Sequence, residues 1–92
     1  MAERILLVED DEKLARMVEL ELQYEGYEVE KAFDGRAGLD RALSGEFDLV
    51  LLDIMLPALS GMEVLRRLRR ESAMPVIMLT ARDTVVDKVS GL

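Results

Sequence analysis

Apolar residues in this chain fall into short, nearly continuous runs, separated by stretches in which they return every three or four positions. Ile5-Leu6-Leu7-Val8, Phe47 to Leu52 and Pro75 to Leu79 are the runs. They are too continuous for a sheet with one wet face, so they predict strands of a parallel sheet covered on both sides. Leu14, Met17, Val18 and Leu22 recur at the spacing of one helix face, and Gly26 is the expected stop. Tyr27 to Phe33, interrupted by Glu28 and Glu30, predicts an edge strand rather than a central one. Asp34-Gly35 predicts a turn, and Ala37, Ala42 and Leu43 a second helix closed by Ser44-Gly45. After the Leu56-Pro57 loop, Ser60 is the predicted N-cap of a third helix, with Glu63 completing a capping box and Met62, Leu65 and Leu68 facing inward. Asp83 or Thr84 is the expected cap of a fourth helix carrying Val85, Val86 and Val89.

Each of the three runs ends on an acid or a hydroxyl: Glu9-Asp10-Asp11, Asp53 and Thr80. Parallel strands bring their carboxyl ends to one edge, where open α/β folds bind ligands. Carboxylates gathered there repel one another unless a cation sits among them, and hard oxygen donors suit a divalent ion such as Mg²⁺. Asp53, closing the run from Phe47 ahead of a tight proline-containing loop, is the best-placed nucleophile toward phosphorus. The bland alternative makes these acids turn or cap residues. It is preferred for Asp11 at the head of helix one, and not for Asp10 or Asp53.

Composition narrows the chemistry further. The 92 residues make one small domain, half apolar and 34% charged, with neither cysteine nor histidine. Thiol, disulfide and Ser-His or zinc-His chemistry are thereby excluded. A formal charge of −7 argues against nucleic-acid binding by this domain. The run Arg66-Arg67-Leu68-Arg69-Arg70 is better read as a solvated helix end whose cations complement the dipole. No apolar run reaches bilayer length, no secretory pattern precedes the first strand, and a cytoplasmic location without membrane contact is expected. Met55, Met62, Met74 and Met78 read as core or loop residues rather than as a sulfur metal site.

Taken together, Ile5 to Asp10, Asp53-Ile54-Met55-Leu56-Pro57 with Ser60-Gly61, and Pro75 to Arg82 resemble the CheY-like receiver domains of bacterial two-component response regulators, in particular those joined to a winged-helix output domain. The resemblance covers the whole chain, residues 1–92. It implies an α/β, flavodoxin-like, doubly wound parallel sheet in the order 2-1-3-4, with helix one on one face and helices two and three on the other. It also implies roles. Asp53 is the phosphoacceptor, Asp10 a direct Mg²⁺ ligand, Glu9 a ligand through water and Met55 a ligand through its carbonyl. Thr80 is the switch hydroxyl, and small Ala81 leaves the phosphate accessible. The implied partner is a histidine kinase as phosphodonor, and the implied class is a signalling domain, not an enzyme.

Family members continue into a fifth strand with a Lys-Pro pair and a fifth helix. The expectation here is a receiver truncated within helix four, with Lys13 and Lys88 off the lysine position. A homodimer or larger assembly through strand four and the uncovered sheet face is expected in consequence. Two other functions compete: a Mg²⁺-dependent phosphohydrolase, which needs a second acid or base that does not closely follow Asp53, and a structural or self-association module that is not phosphorylated.

Overall fold

The computed structural model describes residues 2–79. Seven elements follow in order: β1 (Arg4–Val8), α1 (Glu12–Tyr24), β2 (Glu28–Ala32), α2 (Gly35–Ala42), β3 (Leu49–Asp53), α3 (Gly61–Arg69) and β4 (Val76–Leu79). The strands form a parallel sheet in the order β2-β1-β3-β4, as the runs and the resemblance predict. β2, whose charges mark it as an edge, lies at one end. The expected fourth helix, Thr80 and Ala81 lie outside the described residues.

Alternating side chains of the central strands feed two cores. Leu6, Val8, Val50 and Leu52 join Leu39 and Ala42 of α2 and Val64 and Leu68 of α3 on one face. Ile5, Leu7 and Leu51 meet Ala15, Val18 and Leu22 of α1 on the other. β1 and β3 are thus buried on both sides, which is why their sequences run apolar without alternation.

Each helix begins on a side-chain acceptor. Asp11 accepts from the N–H groups of Lys13 and Leu14, Asp34 from that of Ala37, and Ser60 from that of Glu63. Asp34 therefore caps α2 as well as turning the chain. The capping box at α3 is half made, because the Glu63 carboxylate turns to Arg66 and Arg67 instead of back to Ser60. α1 ends in a Schellman turn: Gly26, at φ +100°, donates to the Gln23 carbonyl, and Tyr27 donates to that of Leu22.

Two methionines depart from expectation. Met17 is 64% exposed and Met62 55% exposed, although both were assigned to inward helix faces. Each stands two positions from a buried residue, Ala15 and Val64, and so points about 200° around the helix axis from it. Ala37 and Leu43 of the predicted α2 stripe are likewise exposed, the inward positions being Gly38, Leu39 and Ala42. No described helix is long and apolar enough to cross a membrane.

Near the amino ends of β1 and β3, charges are paired. Arg4 and Arg41 lie over the Phe47 ring, their guanidinium carbons 5.0 and 5.5 Å from its centroid. Both cations reach Glu30 and Glu46. A second pair ties α1 to the sheet, with buried Glu19 bonded to Lys31 of β2 and to Arg16, each at 3.0 Å.

Candidate metal and phosphoryl site

The register of β1 with β3 sets Val8 opposite Leu52, which leaves the next residues, Glu9 and Asp53, side by side at the carboxyl edge. Glu9 is fixed from both sides: its N–H donates to the Ala32 carbonyl of β2, and its Oε2 accepts from the Asp11 N–H at 3.0 Å. Glu9 is 5% and Asp53 3% exposed, while Asp10 stands in solvent. One carboxylate oxygen from each of Glu9, Asp10 and Asp53 lies within 4.8 Å of the other two. The sequence-predicted acids therefore do converge, with Asp11 diverted to capping α1 as expected.

Among the described residues, no lysine or arginine forms an ion pair with any of these three acids. The electrostatic consequence is direct. Burial pushes the Glu9 carboxyl up to about 7, and the neighbouring Asp53 and Asp10 charges add to the rise. The Asp53 carboxyl is also raised, mainly by burial, with the Met55 N–H opposing the shift. These are hard oxygen donors crowded into one place with charge to be neutralised, which is the donor set that Mg²⁺ accepts. Met55 is 72% exposed, and its N–H donates to Asp53 Oδ1 at 3.3 Å.

Two glycines shape this edge by having no side chain. A Cβ on Gly61 would overlap the Asp53 carbonyl oxygen, so α3 can begin beside Asp53 only at glycine. A Cβ on Gly35 would stand 1.7 Å from the Leu59 carbonyl oxygen. The sequence signals Gly61 through its offset from Asp53, whereas Asp34-Gly35 signals a turn and not a contact with the loop after β3.

Known proteins share this fold. The response regulator TrrA of Thermotoga maritima, solved in complex with Mg²⁺-BeF, superposes with a TM-score of 0.84 at 38% identity, over 97% of this chain and 78% of that one. TrrA in complex with the histidine kinase ThkA gives a TM-score of 0.80 at 41% identity, over 86% of this chain and 69% of that one. Among curated proteins, the uncharacterized transcriptional regulatory protein YkoG of Bacillus subtilis is 62% identical over 89 residues, 96% of this chain and 39% of that protein. The response regulator ArlR of Staphylococcus haemolyticus is 50% identical over 88 residues, 96% of this chain and 40% of that protein. The chain thus spans about two fifths of the length of these curated relatives. A match to the response regulator receiver domain over residues 5–92, on top of the sheet order and the acid cluster, shows that the chain belongs to that family.

Proposed function

We propose that this chain carries a phosphoacceptor domain in which Asp53 takes a phosphoryl group from the phosphohistidine of a kinase. An Asp53 carboxylate oxygen attacks phosphorus, the P–N bond breaks, and the imidazole leaves with a proton as an acyl phosphate forms. Asp10, Asp53 and the Met55 carbonyl would hold Mg²⁺, with Glu9 reaching it through water. Bound there, the ion would supply charge neutralisation for the phosphoryl oxygens. The Asp11 N–H holds the Glu9 carboxyl in place, and the Met55 N–H orients the nucleophile. Thr80 and Ala81 follow β4 in sequence, and the family resemblance would make them the hydroxyl that answers the phosphoryl group and the small residue that leaves it accessible. The phosphorylated state would then act on an output region, which in relatives named as transcriptional regulators points to DNA binding outside this domain.

The observation carrying this reading is the convergence of three carboxylates, two of them buried, without an ion-paired cation among the described residues. A fold supported only for packing gains nothing from such a cluster. Acetyl phosphate with Mg²⁺, followed by intact-protein mass spectrometry, tests it. One phosphoryl group per chain, absent in Asp53→Asn, is expected. Release of phosphate over many turnovers would instead identify a phosphohydrolase, and no labelling would leave a binding module.

A further inference from the structure

The loop between β3 and α3 is closed on itself and then held from outside. Its ends are joined by the Gly61 N–H donating to the Ile54 carbonyl at 2.9 Å. Its first residues touch the nucleophile, through the Met55 N–H on Asp53 Oδ1. Its far side is held by α2, where the Gly35 N–H, one of the donors a helix start leaves free, bonds the Pro57 carbonyl at 3.2 Å. Between these anchors Ala58 adopts φ +69°, a left-handed conformation that an alanine disfavours. The anchoring requires close approach, since any Cβ at position 35 would overlap the Leu59 backbone.

From this we infer that Gly35 is a positioning residue for the phosphoryl site, setting the loop through Pro57 and Leu59 so that Met55 presents its N–H to Asp53 and its carbonyl to a bound cation. The strained Ala58 marks where the loop is bent to meet α2. α2 thereby reaches the site although none of its residues is among the clustered acids. For its effect on the cation, the inference rests on the metal-assisted reading above; the mechanical link between Gly35 and the loop does not.

Two readouts separate the parts. Calorimetric Mg²⁺ titration of Gly35→Ala is expected to show affinity lower by about tenfold, the scale of lost outer support at metal sites. Gly45→Ala serves as the control for general destabilisation: Gly45 has φ +80° and nothing within 4 Å of an added Cβ. It is expected to lower the melting temperature and leave Mg²⁺ affinity unchanged. In the metal-free protein, amide exchange is expected to quicken at Met55 and Gly61 in Gly35→Ala and not in Gly45→Ala. Ala58→Gly, which adds no atoms, is expected to quicken exchange at Met55 without lowering the melting temperature, and it decides the matter if Gly35→Ala does not fold. Unchanged loop exchange in both loop-directed variants, or equal Mg²⁺ losses in Gly35→Ala and Gly45→Ala, would overturn the inference. A wild-type chain that binds no Mg²⁺ would refute the metal reading alone, with exchange still deciding the link.

Discussion

The two ends of the sheet hold similar numbers of acids and treat them in opposite ways. Near the amino ends of β1 and β3, Glu30 and Glu46 alternate with Arg4 and Arg41 around the Phe47 ring, and the Glu30 carboxyl is held below its usual range by Arg41. At the carboxyl ends, Glu9, Asp10 and Asp53 face one another, and the carboxyls of Glu9 and Asp53 are raised. Acids paired with arginine contribute to holding the fold. Acids left facing acids oppose it until something positive arrives, so the second group costs stability that a bound cation would restore.

The largest effect that would sharpen this contrast comes from Phe47→Ala, which removes the ring from the core and from between two cations. A loss of about 3–5 kcal/mol in urea unfolding is expected, with Mg²⁺ affinity per folded molecule unchanged. A comparable loss of Mg²⁺ affinity would mean that the two ends are not independent. Asp53→Asn should do the reverse, weakening Mg²⁺ binding on the order of 100-fold, or about 2.7 kcal/mol, while leaving the metal-free fold as stable or more so. Unchanged affinity by calorimetry would count against the cluster as a cation site.

Acidity distinguishes the ends next. Because Glu9 stands at about 7 instead of 4.5, the folded chain keeps a proton that the unfolded chain releases between those values. Stability of the metal-free protein from this group is therefore full below about pH 4.5 and falls by about 3 kcal/mol as pH rises through 7. Raised Asp53 acts in the same sense. Glu19, Glu30 and Glu63, lowered by their cations, act in the opposite sense and lose their contribution as pH falls. Thermal melts at pH 5.5 and 8 with and without Mg²⁺ should show stabilisation by the ion chiefly at pH 8; equal stabilisation at both would contradict the raised acids. The smallest effect is Arg41→Ala, a fall of about 2–5 °C in Tm that shrinks in high salt. A salt-independent fall would assign Arg41 a packing role over Phe47 instead of a charge role.

Legibility in the sequence follows the range of the interaction. Acids at the ends of apolar runs announced Glu9, Asp10 and Asp53, because strand direction alone brings them together. The caps Asp11 and Ser60 were legible for the same reason, each acting within three residues of itself. Met17 and Met62 misled because an apolar type at helical spacing does not say on which side of the stripe it falls, and the inward line is set by small Ala15 and by Val64. Glu19 with Lys31, Gly35 with Leu59 and the left-handed Ala58 were invisible, since each depends on how α1, α2 or the loop is placed against a distant segment.

The pairing of β1 with β3 also bears on how the chain finds its structure. Ile5 meets Leu49 and Val8 meets Leu52, in each case 44 positions along the chain (49 − 5 and 52 − 8). Closing so long a segment is entropically costly before any contact forms, which makes this pairing a candidate for the slow step of folding. Glu9 and Asp53 are the residues directly beyond that ladder, so their repulsion grows as the two strands zip toward the carboxyl edge. A divalent cation held among these acids would act on that barrier as well as on the finished fold, hastening the closing of the sheet.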